Sequence, residues 1–234
     1  MTATAERAAR AAVIRACRRM DARGLVAGAE GNISARFGSG RIVITPAGAT
    51  KADLRGVDLV VVRLQDDATT GATTAPSRAK GRRAVGALRP STELAMHLAI
   101  YLARPDVGAI VHAHPPAATG FAVARRPMPV GALAELAGVI GPVPLVPYRM
   151  PGSDALATAV ARKMTSANVV LLANHGAVAV ASTCVAAANL MESLEQSARI
   201  LVTAHILGGV TELGHSDVIA LERARTDGAH RTAR

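Results

Sequence analysis

The sequence is poor in aromatic residues and in cysteine. Among its 234 residues there are two tyrosines, two phenylalanines and no tryptophan. Recognition of nucleic acid by stacked aromatic platforms needs several such rings on one face, so this mode of binding is excluded. The two cysteines, Cys17 and Cys184, are far apart in the chain and have no CxxC or ligand-like spacing. They therefore predict no disulfide framework.

Long apolar runs are absent as well. No uninterrupted stretch approaches the ~18–20 apolar residues of a membrane span. The first residues, Met-Thr-Ala-Thr-Ala-Glu-Arg, contain no apolar core of a signal peptide. We therefore expect a cytoplasmic protein without a membrane partner. Half of the residues are hydrophobic and only 19% are charged, which excludes a disordered chain and predicts a packed core.

Acidic residues are fewer than basic ones. The chain has 17 acidic and 27 basic residues, which gives a formal net charge of +10. Such an excess can indicate nucleic-acid binding, but no helix-turn-helix or zinc-finger spacing accompanies it. We expect no nucleic-acid partner. We interpret the charge, which is densest near both termini and in residues 78–89, as a solvated surface that helps to attract anionic substrates.

The hydrophobic pattern predicts a single α/β domain over residues 1–234, with no internal repeat and no dividing linker. Predicted helices cover residues 4–23, 90–103, 117–124, 132–139, 154–164 and 185–207. Predicted strands cover residues 33–37, 41–45, 59–64, 107–112, 145–146, 169–173 and 177–180. Gly38-Ser39-Gly40 predicts a hairpin between the first two strands, and the third strand is apolar enough for the interior of a sheet. Residues 65–89 have the composition of a long surface loop, and we expect the tail at 213–234 to be disordered in part.

Two histidines stand two residues apart at the end of a predicted strand. Because strand side chains alternate, His112 and His114 point to the same face, where two imidazoles can reach one ion at roughly 2.0–2.1 Å. His175 lies between an apolar strand and Gly176, so it is either a buried core residue or a third ligand. Three neutral imidazoles with an open position leave a divalent metal ion Lewis-acidic.

A carboxylate and a fourth histidine lie at the start of the helix near residue 93. Glu93 is in the predicted first turn, where the helix dipole favours its ionised form by up to ~1 kcal/mol. The charge of Glu93 either only stabilises the N-terminus of the helix, or the carboxylate takes part in proton transfer. His97 follows four residues later. An HExxH zinc motif places Glu directly after its first His, so we interpret His97 as structural.

Five segments occur in series along the chain: Gly31-Asn32-Ile33-Ser34-Ala35-Arg36, Ile44-Thr45-Pro46-Ala47-Gly48, Pro90-Ser91-Thr92-Glu93, His112-Ala113-His114-Pro115 and Asn174-His175-Gly176. In order and spacing they resemble the class II aldolase/adducin family over about residues 5–210. The resemblance implies a three-layer α/β/α fold with a mostly antiparallel central sheet. It also implies a homotetramer of fourfold symmetry, with active sites where neighbouring subunits meet.

The resemblance further implies a role for individual residues. The positions of the family's three zinc ligands are taken by His112, His114 and His175, so we expect Zn²⁺ or another divalent ion as the cofactor. Glu93 matches the family's acid/base. The positions at which the family's aldolases bind the substrate phosphate are taken by Asn32, Gly48, Ser91 and Thr92. Backbone N–H groups and hydroxyls at a helix N-terminus suit such an anion.

The implied activity is that of a metal-dependent carbon–carbon lyase of the aldolase type. Its substrate would be a small hydroxy-ketone, either a sugar or a sugar phosphate, that reacts through a metal-stabilised enediolate while Glu93 moves the proton. A decarboxylase on the same scaffold stays open, acting on a small hydroxy or keto acid or a hydroxyaryl carboxylate. An adducin-like interaction protein is the non-enzymatic alternative, and the three histidines with Glu93 speak against it. The family's epimerases usually have Asp in place of Glu93.

The chain departs from the family pattern around the substrate. Ala47 stands where phosphate-binding members usually carry Ser or Thr, and Ala29 also replaces a hydroxyl residue. Each lost hydroxyl removes a charge-assisted hydrogen bond, roughly 1.5–3 kcal/mol, so we expect weakened phosphate binding. Two tyrosines of the family's aldolases, one after the HxH segment and one near the C-terminus, have no counterpart in residues 129–133 or in the tail.

Overall fold

The computed structural model describes residues 2–38, 40–64 and 88–232. The predicted hairpin residue Ser39 and most of the predicted loop at 65–89 lie outside these ranges. A seven-stranded sheet forms the centre of the fold. Its strands are β1 (Asn32–Phe37), β2 (Arg41–Ile44), β3 (Val60–Arg63), β4 (Ala109–Ala113), β5 (Leu145–Val146), β6 (Val169–Leu172) and β7 (Gly176–Ala181).

The strand order is β3-β2-β1-β4-β7-β6-β5. Every neighbouring pair is antiparallel except β5 and β6, which are parallel. The α-helices are α1 (Thr2–Ala22), α2 (Leu94–Ala103), α3 (Pro116–Ala124), α4 (Asp154–Met164), α5 (Cys184–Ile206) and α6 (His215–Thr232). Among the residues that the structure describes, no helix is both long enough and apolar enough to cross a membrane.

Helices cover both faces of the sheet. Buried side chains of α1, α3 and α5 share one apolar cluster with one face, and those of α2 and α4 share a second cluster with the other. Strand β6 contacts both clusters, because Val169 and Leu171 join the first while Val170 and Leu172 join the second. A strand buried on both faces reads as a continuous apolar run, as this one does. The predicted three-layer α/β/α fold with a mostly antiparallel sheet is confirmed.

Strand β3 differs from its prediction. It lies at the edge of the sheet, not in the interior. Val60 and Val62 are half-buried, whereas Val61 and Arg63 are exposed. The run of valines suggested an internal strand, but one face of this edge strand is open to solvent. Valine is favoured by the pleated backbone itself, so its presence does not establish that both faces are covered.

The segment predicted as a helix over 132–139 is less regular. It forms a 3₁₀ turn, Val130–Ala132, and then a π-helix, Leu136–Ile140. The π-helix closes with the Gly141 N–H donating to the Leu136 carbonyl at 2.7 Å, at a glycine whose φ is +78°. Glycine adopts such a positive φ without steric cost, so it ends the helix here.

The C-terminal tail contains a helix that the hydrophobic pattern did not predict. Residues 215–232 form helix α6, while partial disorder over 213–234 stays a prediction. This helix contacts the π-helix, and the Arg225 Nε donates to the Ala137 carbonyl at 3.2 Å. Leu221 lies opposite Gly138 in the π-helix. Helix α6 therefore packs on the π-helix, a contact between distant segments that its own composition does not predict.

Candidate metal centre

Three histidines meet at one end of strands β4 and β7. His112 is in β4, and His114 follows the end of that strand. The antiparallel register pairs Ala113 with Ala177, which brings His175, just before β7, beside them. One ring nitrogen from each histidine lies within 4.8 Å of the others. The structure thus brings together all three histidines that the sequence analysis singled out as ligands.

Hydrogen bonds orient two of these rings. The His112 Nδ1 donates to the Ala177 carbonyl at 2.9 Å, and the His114 Nδ1 lies 3.1 Å from the Glu30 carboxylate, which can only accept. Both rings therefore direct Nε2 to the centre, and these two atoms are 3.3 Å apart. Two nitrogens bound tetrahedrally to Zn²⁺ at 2.0–2.1 Å lie about 3.4 Å apart. Metal-binding histidines usually donate their second ring N–H to a carboxylate or carbonyl, which fixes the orientation of the ring. Glu30, which no motif indicated, supplies this acceptor for His114.

Glu93 faces the same centre. Its Oε2 lies 3.0 Å from the His112 Nε2, and its Oε1 lies 3.5 Å from the His175 Nε2. Burial raises the pKa of Glu93, but the charge and hydrogen bond of His112, with smaller contributions from His175 and Asn32, lower it well below its usual range. Burial lowers the pKa of His112, and Glu93 more than offsets this, so the net pKa is raised. The carboxylate thus favours a positive charge at the point where the rings converge.

The rings of His114 and His175 are neutral and can donate lone pairs to a metal ion. Burial, followed by the nearby His112, lowers the pKa of His175 to about 4 and also lowers the pKa of His114. At neutral pH each ring therefore offers a lone pair. Two buried atoms of the site, the Glu93 Oε1 and the His175 Nδ1, have no hydrogen-bond partner among the described residues. Neutral imidazoles beside an ionised carboxylate with a spare oxygen fit a divalent ion.

The backbone holds Glu93 at the entrance to α2. It occupies the N-cap position, because the helix begins at Leu94, so the prediction that Glu93 lies in the first turn was wrong by one position. The Ser91 hydroxyl accepts from the Glu93 N–H at 3.3 Å, and the Asn32 Nδ2 donates to the Glu93 Oε2 at 2.8 Å.

His97 lies outside the three-histidine group. It is fully buried, with its Nε2 2.6 Å from the Asn32 Oδ1 and its Nδ1 2.6 Å from the Ser34 hydroxyl. Burial, followed by the charge of His112, lowers the pKa of His97 to about 3. The ring is therefore neutral and satisfied by protein groups, in accord with its interpretation as structural.

The residues expected to bind the substrate anion lie on three neighbouring segments. Asn32 begins β1 and pairs with His112 across the sheet. A bridge between Pro46 and Pro90 joins the loop after β2 to the segment before α2. Gly48, exposed and at a φ of +69°, is in that loop, while Ser91 is buried and Thr92 is exposed in the second segment. These contacts bring the loop of Gly48 alongside the segment that leads to Glu93.

One buried residue near these segments was missed. The Lys51 side chain is 1% exposed, and its Nζ donates to the Ala29 carbonyl at 2.9 Å and to the Ala49 carbonyl at 2.7 Å. Burial lowers the pKa of Lys51. The two carbonyls belong to the turn before Asn32 and to the loop of Gly48, so Lys51 ties these segments together. No motif surrounds Lys51, so its burial has no signal in the sequence.

Two glycines of the motifs allow close approach of the backbone. Gly31 has a φ of +68°, and a Cβ there would lie 2.7 Å from the His112 carbonyl oxygen. A Cβ on Gly176 would lie 2.5 Å from the Ala113 carbonyl oxygen and 2.5 Å from the His114 ring. Such distances are far below van der Waals contact. Glycine at these positions is therefore a requirement of the packing around the histidines.

We expect Gly176→Ala to move the His114 ring and to weaken metal binding. The added methyl group meets backbone on one side and the ring on the other, and overpacking of this kind costs about 1–3 kcal/mol. Gly120→Ala is the control, because a Cβ in that part of α3 meets nothing within 4 Å. Urea unfolding and zinc titration of both variants measure the effects. Equal metal affinity in the two variants would contradict the packing argument.

The fold and the donor set together define a class of protein, an α/β/α enzyme fold with a three-histidine centre and an adjacent carboxylate. The family model for the class II aldolase and adducin N-terminal domain matches residues 11–202. The chain belongs to the class II aldolase/adducin family. The resemblance seen in the five segments is thereby confirmed, and the chain is an aldolase-type enzyme by family.

Relatives of this chain include aldolases and decarboxylases. A 5-methylthioribulose-1-phosphate/5-deoxyribulose-1-phosphate aldolase of Escherichia coli O45:K1 is 33% identical over 71% of this chain and 70% of its own length. A 3-oxo-tetronate 4-phosphate decarboxylase of Haemophilus influenzae is 29% identical over 77% of this chain and 80% of its own length. A solved L-fuculose 1-phosphate aldolase superposes with a TM-score of 0.78 at 28% identity, over 92% of this chain and 94% of that one.

Proposed function

We propose that this protein cleaves a carbon–carbon bond in a small hydroxy-ketone phosphate, as a metal-dependent lyase of the aldolase type. The observation that carries the proposal is the Glu93 carboxylate, which faces three converging imidazoles. One of its oxygens accepts from Asn32, and the other has no hydrogen-bond partner among the described residues. Relatives named as ketose 1-phosphate aldolases support this reaction and this class of substrate.

We assign the metal as Zn²⁺ and its ligands as His112, His114 and His175. Three imidazole nitrogens suit zinc, and the 3.3 Å separation of two of them supports a tetrahedral ion. When bound, the ion would act as a Lewis acid toward a substrate carbonyl and stabilise the negative charge that remains after bond cleavage.

Glu93 is the proposed acid/base. Its Oε1 accepts the proton of the substrate hydroxyl as the carbon–carbon bond breaks and that hydroxyl carbon leaves as an aldehyde. The same carboxyl group then returns a proton to the carbon that lost its partner, so the proton balance closes on one residue. The low pKa of Glu93 keeps it ionised, and the Asn32 N–H holds Oε2 in place.

We assign the binding of the substrate's anionic group to Asn32, Gly48, Ser91 and Thr92. Backbone N–H groups before α2 and the Asn and hydroxyl side chains are suitable donors for a phosphate or a carboxylate. The buried Lys51 adds a positive charge between the two loops, and no carboxylate forms an ion pair with it in the described part of the chain. This charge partly offsets the hydroxyl groups missing at Ala29 and Ala47.

Decarboxylation is the second candidate. It is favoured by the relatives named 3-oxo-tetronate 4-phosphate decarboxylase and by the two tyrosines of the family's aldolases that this chain lacks. Loss of CO₂ needs the same sink for electrons but no donor to an aldehyde oxygen. The complete histidine group argues against a purely adducin-like interaction protein.

We further propose a cytoplasmic homotetramer of single-domain subunits, with active sites at the subunit interfaces. Exposed apolar side chains near the end of α5 support an assembly, namely Ile200, Val202, Ile206 and Leu207. Both cysteines are free and buried, as in proteins of a reducing compartment. Light scattering at micromolar concentration tests the assembly, and a monomer would contradict it.

The reaction is tested by separating its products. The zinc-loaded protein is incubated with L-fuculose 1-phosphate, 5-deoxy-D-ribulose 1-phosphate and 3-oxo-tetronate 4-phosphate, and aldehyde and CO₂ are measured independently. We expect aldehyde from a ketose 1-phosphate and no CO₂. Release of CO₂ from the keto acid alone would establish the decarboxylase instead. No product from any of the three would contradict both candidates.

A further inference from the structure

A line of buried polar side chains leads away from Glu93 into the protein. Behind Asn32 come His97, Ser34 and Tyr101. The His97 Nε2 is 2.6 Å from the Asn32 Oδ1, the His97 Nδ1 is 2.6 Å from the Ser34 Oγ, and that hydroxyl is 2.9 Å from the Tyr101 hydroxyl. Each of the four side chains is at most 4% exposed.

The spacing of these residues explains why they meet. Glu93, His97 and Tyr101 follow one another at intervals of four residues, from the N-cap of α2 along the helix, which places them on one side of it. Asn32 and Ser34 are two residues apart in β1 and therefore share one face of the sheet. The face of the helix lies against the face of the strand, and the polar groups alternate between the two elements.

The direction of every hydrogen bond in this line follows from its charged end. The Glu93 carboxylate can only accept, so the Asn32 amide must turn its NH₂ group toward Glu93 and its oxygen toward His97. That oxygen can only accept, so His97 carries its proton on Nε2. The neutral ring then accepts at Nδ1 from the Ser34 hydroxyl, which in turn accepts from the Tyr101 hydroxyl.

We propose that His97, with Ser34 and Tyr101 behind it, is a positioning residue that locks the Asn32 amide with its NH₂ group toward Glu93. This inference rests on the proposed role of Glu93. This fixed orientation matters because the oxygen and the NH₂ group of an amide are nearly equal in size, so shape alone does not decide which of them faces Glu93. If the amide turned over, its oxygen would face the carboxylate and repel it, and Oε1 would lose its orientation toward the histidines.

Nuclear magnetic resonance of ring-¹⁵N-labelled histidine in the full-length protein tests the geometry without any assay of activity. We expect His97 to show a protonated Nε2 and an unprotonated Nδ1 at neutral pH. In His97→Leu, the side-chain NH₂ signals of Asn32 should shift, because the oxygen of the amide has lost its donor. In His97→Gln, which restores an amide donor at the position of Nε2, the signals should return toward those of the wild type. A proton on Nδ1 of His97, or unchanged Asn32 signals in His97→Leu, would overturn the proposal.

Kinetics of the same variants test the consequence. We expect kcat to fall roughly 10- to 100-fold in His97→Leu with a smaller change in KM and unchanged metal content, and to recover in large part in His97→Gln. His215→Leu is the control, since that ring is exposed at the start of α6. Equal losses in the Leu and Gln variants would identify a merely structural role and overturn the proposal.

A second variant and a readout independent of activity complete these experiments. If His97→Leu does not fold, Tyr101→Phe removes the far hydroxyl while keeping the ring, and it should shift the Asn32 signals to a smaller extent in the same direction. An unchanged Asn32 spectrum in that variant would count against the line of hydrogen bonds. If the wild type cleaves none of the substrates, the proposed function fails, and the tautomer and the Asn32 signals still decide the positioning role.

Discussion

Glu93→Gln should retain one metal ion per chain and lose cleavage activity by about 10²–10⁴-fold. The substitution keeps the shape of the side chain, and its carbonyl oxygen can still accept from the Asn32 NH₂ group. What is lost is the oxygen that can take up a proton. Because the histidines supply the ligands, the metal content should not change.

Metal analysis and steady-state kinetics on the same preparation measure both parts of this result. Glu6→Gln is the matched control, because that carboxylate pairs with Arg10, four residues later in α1. It should keep normal kcat. A near-normal kcat in Glu93→Gln would remove Glu93 from the mechanism, and a loss of metal in that variant would make it a ligand instead.

His175→Ala should bind zinc more than about 100-fold more weakly than the wild type. Removing a residue that only hydrogen-bonds a metal ligand typically lowers the metal affinity 10–100-fold. Removing a ligand itself should lower the affinity further. Among the described residues, His175 supplies one of the three ring nitrogens that converge on the site. Its removal also takes away the ring that faces the Glu93 Oε1.

A chelator competition assay and metal analysis after dialysis measure this loss, with His215→Ala, an exposed histidine at the start of α6, as the control. The same result is expected for His112→Ala and His114→Ala. We also expect His112→Ala to lower the free energy of unfolding, because the His112 ring is fully buried and donates to the Ala177 carbonyl. Full retention of metal in His175→Ala would show that the three histidines are not one centre.

Part of the site follows directly from sequence periodicity. His112 and His114 are predicted as neighbours because a strand repeats every two residues, and the structure places their ring nitrogens 3.3 Å apart. The addition of His175 depends on the pairing of β4 with β7, which begins 63 residues after β4 ends and leaves no local signal. The family motifs supplied that link.

Other features could not be predicted because they depend on packing. Strand β3 has the composition of an internal strand, yet its position at the sheet edge is decided by the order of all seven strands. Glu30 contacts His114 only because the turn before β1 reaches the end of β4. Lys51 and the line from Asn32 to Tyr101 likewise arise from contacts between distant segments. Helix α6 contacts the π-helix, and its own apolar pattern did not predict a helix.

Removal and return of the metal tests the central claim most directly. The wild-type protein is stripped of metal with a chelator, assayed on the ketose 1-phosphate that it cleaves, and then titrated with Zn²⁺. We predict that cleavage falls to background after stripping and returns in full with one equivalent of zinc per chain, while the His175→Ala protein fails to recover under the same conditions. Undiminished cleavage by the stripped wild-type protein would contradict a reaction that depends on the three-histidine centre.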